Sequence, residues 1–199
     1  MNPVVVEKTK NGEVHYDIYS RLVKDRIIFL HEEINADVAS TMIATLLYLN
    51  IKDSKEPISI YINSVGGTVT SGLFTIYDTM QRIEAPVETV CVGEAYSAAA
   101  VILAAGDKRK AYPNSKVMIH NIQVSGMWGD SQEIIREAKL VDEENKKLLE
   151  TLARHTGKPL SRIKKDCLRD FYMTADEALK YGIIDEILVP KKNIPKLIK

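Results

Sequence analysis

Residues 58–82 read ISIYINSVGGTVTSGLFTIYDTMQR, and the architecture is worked outward from them. The isoleucine-rich run from Ile58 to Asn63 predicts a short strand. Asn63-Ser64-Val65-Gly66-Gly67 then turns the chain sharply, and Val69 to Arg82 predicts a helix. Strand, glycine turn and helix form the repeating unit of an α/β domain. Similar runs on either side predict strands at Arg26 to Leu30, Val87 to Val92 and Lys116 to His120, with a late edge strand at Glu186 to Val189. Asn35 to Asn50 predicts a helix capped by Asn35 and buried along Val38, Met42, Leu46 and Leu49. Ala98 to Ala105 predicts another. Thr174 and Glu177 make a capping box for a last helix that stops at Gly182.

The longest helical pattern is Asp130 to Arg154, with a stripe of Ile134, Ala138, Val141, Leu148 and Leu152 interrupted by Asn145. Its 25 residues, at 1.5 Å each, would span about 37 Å, the width of a whole domain, so its far end is expected against another subunit. No repeat or linker divides the 199 residues, and one domain with a loose first twenty residues is expected. Lys plus Arg and Asp plus Glu both number 27, which gives a formal charge of +0. A charge balance of this kind points to neither nucleic acid nor an anionic membrane. The longest apolar stretch, Ala95 to Ala105, is about half of the roughly 20 residues that a membrane span needs. Cys91 and Cys167 both sit in apolar surroundings, which suits a reduced cytoplasmic chain.

Three features carry chemistry. Gly66 and Gly67, between strand and helix, would let main-chain N–H groups approach a ligand or an oxyanion, although a glycine pair also suits an ordinary tight turn. Ser97, in Gly93-Glu94-Ala95-Tyr96-Ser97-Ala98-Ala99-Ala100, is a hydroxyl among small residues at a helix start. That setting suits a nucleophile, and equally an N-cap. The Gly-x-Ser-x-Gly elbow is absent. His120 is delivered by an apolar strand to a loop, as a base would be, or as a buried core histidine. His155 suits the C-terminal end of the long helix, and His15 and His31 lie in polar turns. A nucleophilic serine needs a base, and the base needs a carboxylate. Asp170 is chosen as that acid, with Asp166 and Asp176 close by. No pair of His or Cys has metal-ligand spacing.

Further segments join these: Tyr16-Asp17-Ile18-Tyr19-Ser20-Arg21-Leu22, Ile76-Tyr77-Asp78-Thr79-Met80-Gln81, Pro113-Asn114-Ser115-Lys116-Val117-Met118-Ile119-His120 and Asp166-Cys167-Leu168-Arg169-Asp170. With them the chain resembles, over nearly its whole length, the ClpP family of serine peptidases. The resemblance implies a Clp/crotonase-type α/β fold of repeated β-β-α units, in one domain over 1–199. Residues 1–20 would be a flexible axial segment and about 121–154 a protruding handle. It implies Ser97 as nucleophile, His120 as base, Asp170 as orienter, and the N–H groups of Gly67 and Ala98 as the oxyanion hole. It also implies a homo-oligomer of two stacked heptameric rings, a tetradecamer that cleaves unfolded polypeptide. A hexameric AAA+ Clp unfoldase would feed it and would use the ATP, so no cofactor is expected in this chain, nor any nucleic acid or membrane partner.

The chain departs from the family pattern at Val65, where proline is usual, around the serine at Tyr96, Ala98 and Ala99, and after the histidine at Asn121-Ile122. In the cleft where the family receives an apolar unfoldase loop, Ser59, Arg82 and Lys110 stand where aromatic residues are common, so altered docking is expected. The substitutions around Ser97 suggest a rival, a non-catalytic ring subunit kept for assembly. A crotonase-like acyl-CoA enzyme is a second rival, since it uses similar glycine-rich loops.

Overall fold

The computed structural model describes residues 3–10 and 12–189. Its central sheet has the strand order β3-β4-β5-β6-β9, all parallel, where β3 is Ile27–Leu30, β4 Ile58–Ser64, β5 Val87–Tyr96, β6 Lys108–Ala111 and β9 Glu186–Ile187. Parallel neighbours need crossovers. These are supplied by α2 (Ala36–Lys52), by a π-helical turn (Val69–Phe74) continuing into α3 (Thr75–Arg82), and by α4 (Ala98–Ala104). Strand β4 shows the pattern that drives the layering. Ile58, Ile60 and Ile62 are fully buried, while Ser59 and Tyr61 on the opposite face are half-exposed. Helix α2 is capped by Asn35, whose side chain accepts the Val38 N–H, and buries Ala39, Met42, Leu46 and Leu49. Every residue of α4 is buried, and its four alanines let it approach β5 closely.

One strand carries two partners in succession. Strand β5 pairs with β6 over Glu88–Cys91 and then, over Glu94–Tyr96, with β7 (Lys116–Ile119). Between these halves the β4–β5 register shifts, and Asn63 fills the irregularity by accepting the Glu94 N–H at 3.1 Å. On its other side β7 pairs antiparallel with β8 (Phe171–Thr174). This fork places the ends of β5 and β7 and the start of β8 side by side.

Several elements differ from the sequence reading. The expected loose N-terminal stretch is a hairpin of β1 (Val4–Thr9) and β2 (Gly12–Asp17), followed by α1 (Ile18–Lys24), which Asp17 caps. His15, read as lying in a turn, is in β2. Arg21 and Lys24 both pair with Glu7, so the hairpin is tied to the helix by charge and not by a buried apolar face. Residues 1, 2, 11 and 190–199 of the expected domain lie outside the described residues. Strands β6 and β8 and helix α6 (Leu160–Asp166) have no counterpart in that reading. Strand β6, Lys-Arg-Lys-Ala, is charged because it lies between acidic neighbours: Lys108 is opposite Glu88, and Lys110 is opposite Glu186.

The long helix α5 runs over Ser131–Thr156, with a capping box of Asp130 and Glu133 and a left-handed Gly157 as its stop. At 1.5 Å per residue it is about 39 Å long. Its apolar side is buried only toward the C-terminal end: Leu148, Leu149, Thr151 and Leu152 are buried, whereas Ile134, Ile135 and Leu140 are exposed. Helix α7 (Ala175–Tyr181) has the expected Thr174–Glu177 capping box and ends at Gly182.

Candidate active site

The glycine turn is built by the segment after β3. Ile34 donates its N–H to the Gly66 carbonyl at 2.7 Å and accepts the Thr68 N–H at 2.7 Å. This short parallel bridge uses the groups on either side of Gly67, so the N–H of Gly67 itself faces away from Ile34. The buried Ser64 hydroxyl pins the turn from beneath, donating to the Glu32 carbonyl at 2.6 Å and accepting the Gly66 N–H at 3.2 Å. No side chain fits at either glycine. A Cβ on Gly66, where φ is 98°, would lie 2.7 Å from Ser97 Cβ and 3.0 Å from the Ala98 nitrogen; one on Gly67 would lie 2.1 Å from the Ile34 oxygen. The pair is therefore more than a turn, because it presses the loop backbone directly against Ser97 and Ala98.

Ser97 joins β5 to α4 with φ 54° and ψ −122°, a backbone region that L residues rarely occupy. Its side chain makes no hydrogen bond to the helix it precedes, so the N-cap alternative falls away. Its N–H donates to the Met118 carbonyl at 2.8 Å, two residues before His120. Ala98 opens α4, where N–H groups lack intrahelical acceptors, and it lies beside the glycine turn.

His120 follows β7 directly. Its side chain is 13% exposed, and its Nδ1 is buried with no hydrogen-bond partner among the described residues. The carboxylate facing it is Asp170, with Oδ1 3.7 Å from Nδ1. Burial holds the imidazole below its ordinary pKa, and the charge of Asp170 opposes that only in part. A buried core histidine would have its ring nitrogens satisfied. This one is satisfied only if Asp170 closes by somewhat under an ångström, and such contacts are commonly long before substrate binds. The other acids do not compete. Asp166 is engaged by Arg162 at 2.6 Å and by the Tyr181 hydroxyl at 2.8 Å, and Asp176 sits in the first turn of α7.

Other groups at this end of the sheet were not singled out as site residues. Gln123 donates to Asp170 Oδ1 at 3.4 Å, and the only sequence signal for it was its position three residues past His120. Tyr96 and Tyr172 meet edge to face, 5.6 Å between ring centres, across Met118, which pairs with both. Cys91 and Cys167 are buried; burial pushes their thiols up to about 11 and about 12, which leaves them protonated and unreactive.

On the opposite face of the sheet Phe29, Tyr61, Val90 and Lys110 stand in one row across four strands. The Lys110 ammonium is held by Glu88 at 2.9 Å and approaches Glu186 at 4.0 Å, and the Glu88 contact is the main reason its pKa is raised. Ser59 is half-buried on that face, and Arg82 is exposed at the end of α3.

The glycine loop thus packs on a strained serine, and a histidine and an aspartate are brought to this end of the sheet by neighbouring strands. The family model for Clp protease matches residues 10–191, and the chain belongs to the Clp protease family, as a peptidase of the ClpP type.

Proposed function

We propose that the chain is a serine endopeptidase acting through Ser97, His120 and Asp170. The observation that carries the reading is the packing of Gly66 on Ser97 and the Ala98 nitrogen, since it brings the glycine loop against a serine whose hydroxyl caps nothing. In this mechanism Ser97 Oγ attacks the scissile carbonyl as the imidazole of His120 takes its proton. Asp170 faces Nδ1 and stabilises the imidazolium that forms. The N–H groups of Gly67 and Ala98 receive the negative charge on the carbonyl oxygen. His120 then returns the proton to the leaving amine, and water releases the acyl group from Ser97 by the same steps in reverse. None of these steps calls for a metal or cofactor in this chain. A serine-reactive phosphonate is expected to label Ser97 in the wild-type protein; absence of labelling would favour the non-catalytic ring subunit.

Burial lowers the pKa of His120, so neutral imidazole, the form able to accept the serine proton, persists below the ordinary value of about 6.5. Peptide hydrolysis is expected to be level above that pH and to fall as pH drops through the lowered value. A kcat/KM profile on a short peptide checks this, and an acid limb centred above about 6.5 would count against His120 as the base.

The assembly in this reading is two stacked heptameric rings of identical chains in the cytoplasm, receiving unfolded polypeptide from a hexameric AAA+ unfoldase. The exposed Ile134, Ile135 and Leu140 on the outer half of α5 support a covered contact between subunits there. A charge at Ile135 or Val141 is expected to split the large particle, because an unpaired charge is costly to bury. Native mass spectrometry reads the outcome; a variant particle of unchanged mass would remove the contact from α5.

For unfoldase docking, Lys110 is ion-paired with Glu88, whereas Arg82, exposed at the end of α3, has no ion pair among the described residues. Arg82→Phe is expected to strengthen binding of an apolar loop peptide to the assembled ring, measured by surface plasmon resonance. Unchanged affinity would assign Arg82 no part in docking.

A further inference from the structure

Among the polar side chains of the long helix that the proposed machinery does not use, one reaches the segment after His120. Asn145 interrupts the apolar stripe of α5 just before its buried portion begins at Leu148, and it is half-buried itself. Its Oδ1 accepts the N–H of Ile122 at 2.9 Å, and its Nδ2 donates to Asn121 Oδ1 at 3.2 Å. The N–H of Asn121 donates in turn to the Cys167 carbonyl at 2.9 Å, three residues before Asp170. The two residues after His120 are therefore held from two directions, by α5 and by the turn that leads to Asp170.

His120 depends on that hold. The β7 ladder ends at Ile119, so beyond it the sheet no longer fixes the chain. Nor does the ring anchor itself, since Nδ1 has no hydrogen-bond partner among the described residues and Asp170 stands 3.7 Å away. The position of the imidazole is thus set mainly by backbone, with β7 on one side and the Asn121–Ile122 segment on the other. A carboxamide suits the clamp because one planar group offers an acceptor to a main-chain N–H and a donor to a side-chain oxygen. A lysine could not accept, and a leucine could do neither.

We propose that Asn145 is a positioning residue for the general base, fixing the chain just past His120 so that the imidazole stays between Ser97 and Asp170. The inference rests on the reading of those three residues as the catalytic set.

The test compares Asn145→Leu with Asn145→Asp in the assembled full-length protein, by the rate at which a phosphonate labels Ser97 and by kcat and KM on a short peptide. Small misplacements of a catalytic group cost up to about 100-fold. Asn145→Leu is accordingly expected to lower both labelling rate and kcat by about 10- to 100-fold, with KM changed less than about twofold. Asn145→Asp keeps an acceptor for the Ile122 N–H and is expected to recover most of that loss. A Leu variant within about twofold of wild type in kcat, or an Asp variant no better than Leu, overturns the role. Should the Leu variant fail to assemble, amide hydrogen exchange of Ile122 in the wild-type protein decides: protection matching that of Asn121 supports the clamp, and free exchange refutes it. Failure of the wild type to label at Ser97 would overturn the catalytic reading and this inference with it. A labelled wild type with an unimpaired Leu variant overturns this inference alone.

Discussion

Ser97→Ala is expected to lower peptide hydrolysis by about three to six powers of ten, the loss typical of removing a nucleophile from a triad. Folding should be nearly untouched. The hydroxyl caps no helix, and the substitution removes a single oxygen while keeping the Cβ that Gly66 packs against. Melting temperature is therefore expected within about 2 °C of wild type, with the assembled mass unchanged. The pair of measurements is diagnostic, because a general loss of structure would lower both together. Residual turnover within about tenfold of wild type would remove Ser97 from the mechanism.

The largest effect on stability is expected from Gly67→Ala. The added Cβ would lie 2.1 Å from the Ile34 carbonyl oxygen and 2.6 Å from its nitrogen. These are backbone atoms, so no side chain can swing aside. Relief would require breaking the bonds of Ile34 to Gly66 and Thr68, both 2.7 Å. Strain and two lost hydrogen bonds together cost about 3 kcal/mol or more, or roughly 6–12 °C in Tm for a chain of this length. The comparison has to be made at fixed protein concentration, since assembly also stabilises. Labelling of Ser97 should fall as well, because the displaced loop carries Gly67, one of the two proposed oxyanion donors. A variant melting within about 2 °C of wild type would show that the turn is not held as described.

Much of this site was legible in the residues, for reasons that can be named. Ser97 and His120 stood out because each combined a reactive side chain with a strand end, and a strand end is readable from apolar runs. Gly66 and Gly67 marked a turn, but their contact with Ser97 depends on where the segment after β3 crosses, which no local pattern records. Asp170 could not be separated from Asp166 by type or spacing. The difference is that Tyr181 and Arg162 occupy Asp166, and those contacts are tertiary. Asn145 read as a flaw in a helical stripe because its partners lie 23 and 24 positions away.

The fold misreadings have the same origin. Strand β6 lacks the apolar alternation by which a strand is recognised, since charge pairing with β5 and β9 replaces burial there; β2 does alternate, over Glu13-Val14-His15-Tyr16-Asp17, but none of it is fully buried. The stripe on α5 was real as a pattern. Periodicity shows which side of a helix is apolar and not what covers it, and the outer half of this one extends past its own core.

The backbone at Ser97 has an implication for how this position can change over time. At φ 54° and ψ −122° the residue the fold itself favours is glycine, which would relieve an energetic cost of about 1–3 kcal/mol and abolish the hydroxyl. If Ser97 is the nucleophile proposed above, folding and catalysis pull this codon in opposite directions. In a lineage released from the need to cleave peptides, the serine would be among the first residues lost, and the descendant subunit would be more robust than its ancestor while serving only as scaffold. On the proposed mechanism, serine stands at this strained position for its hydroxyl and not for its backbone, which glycine would suit better.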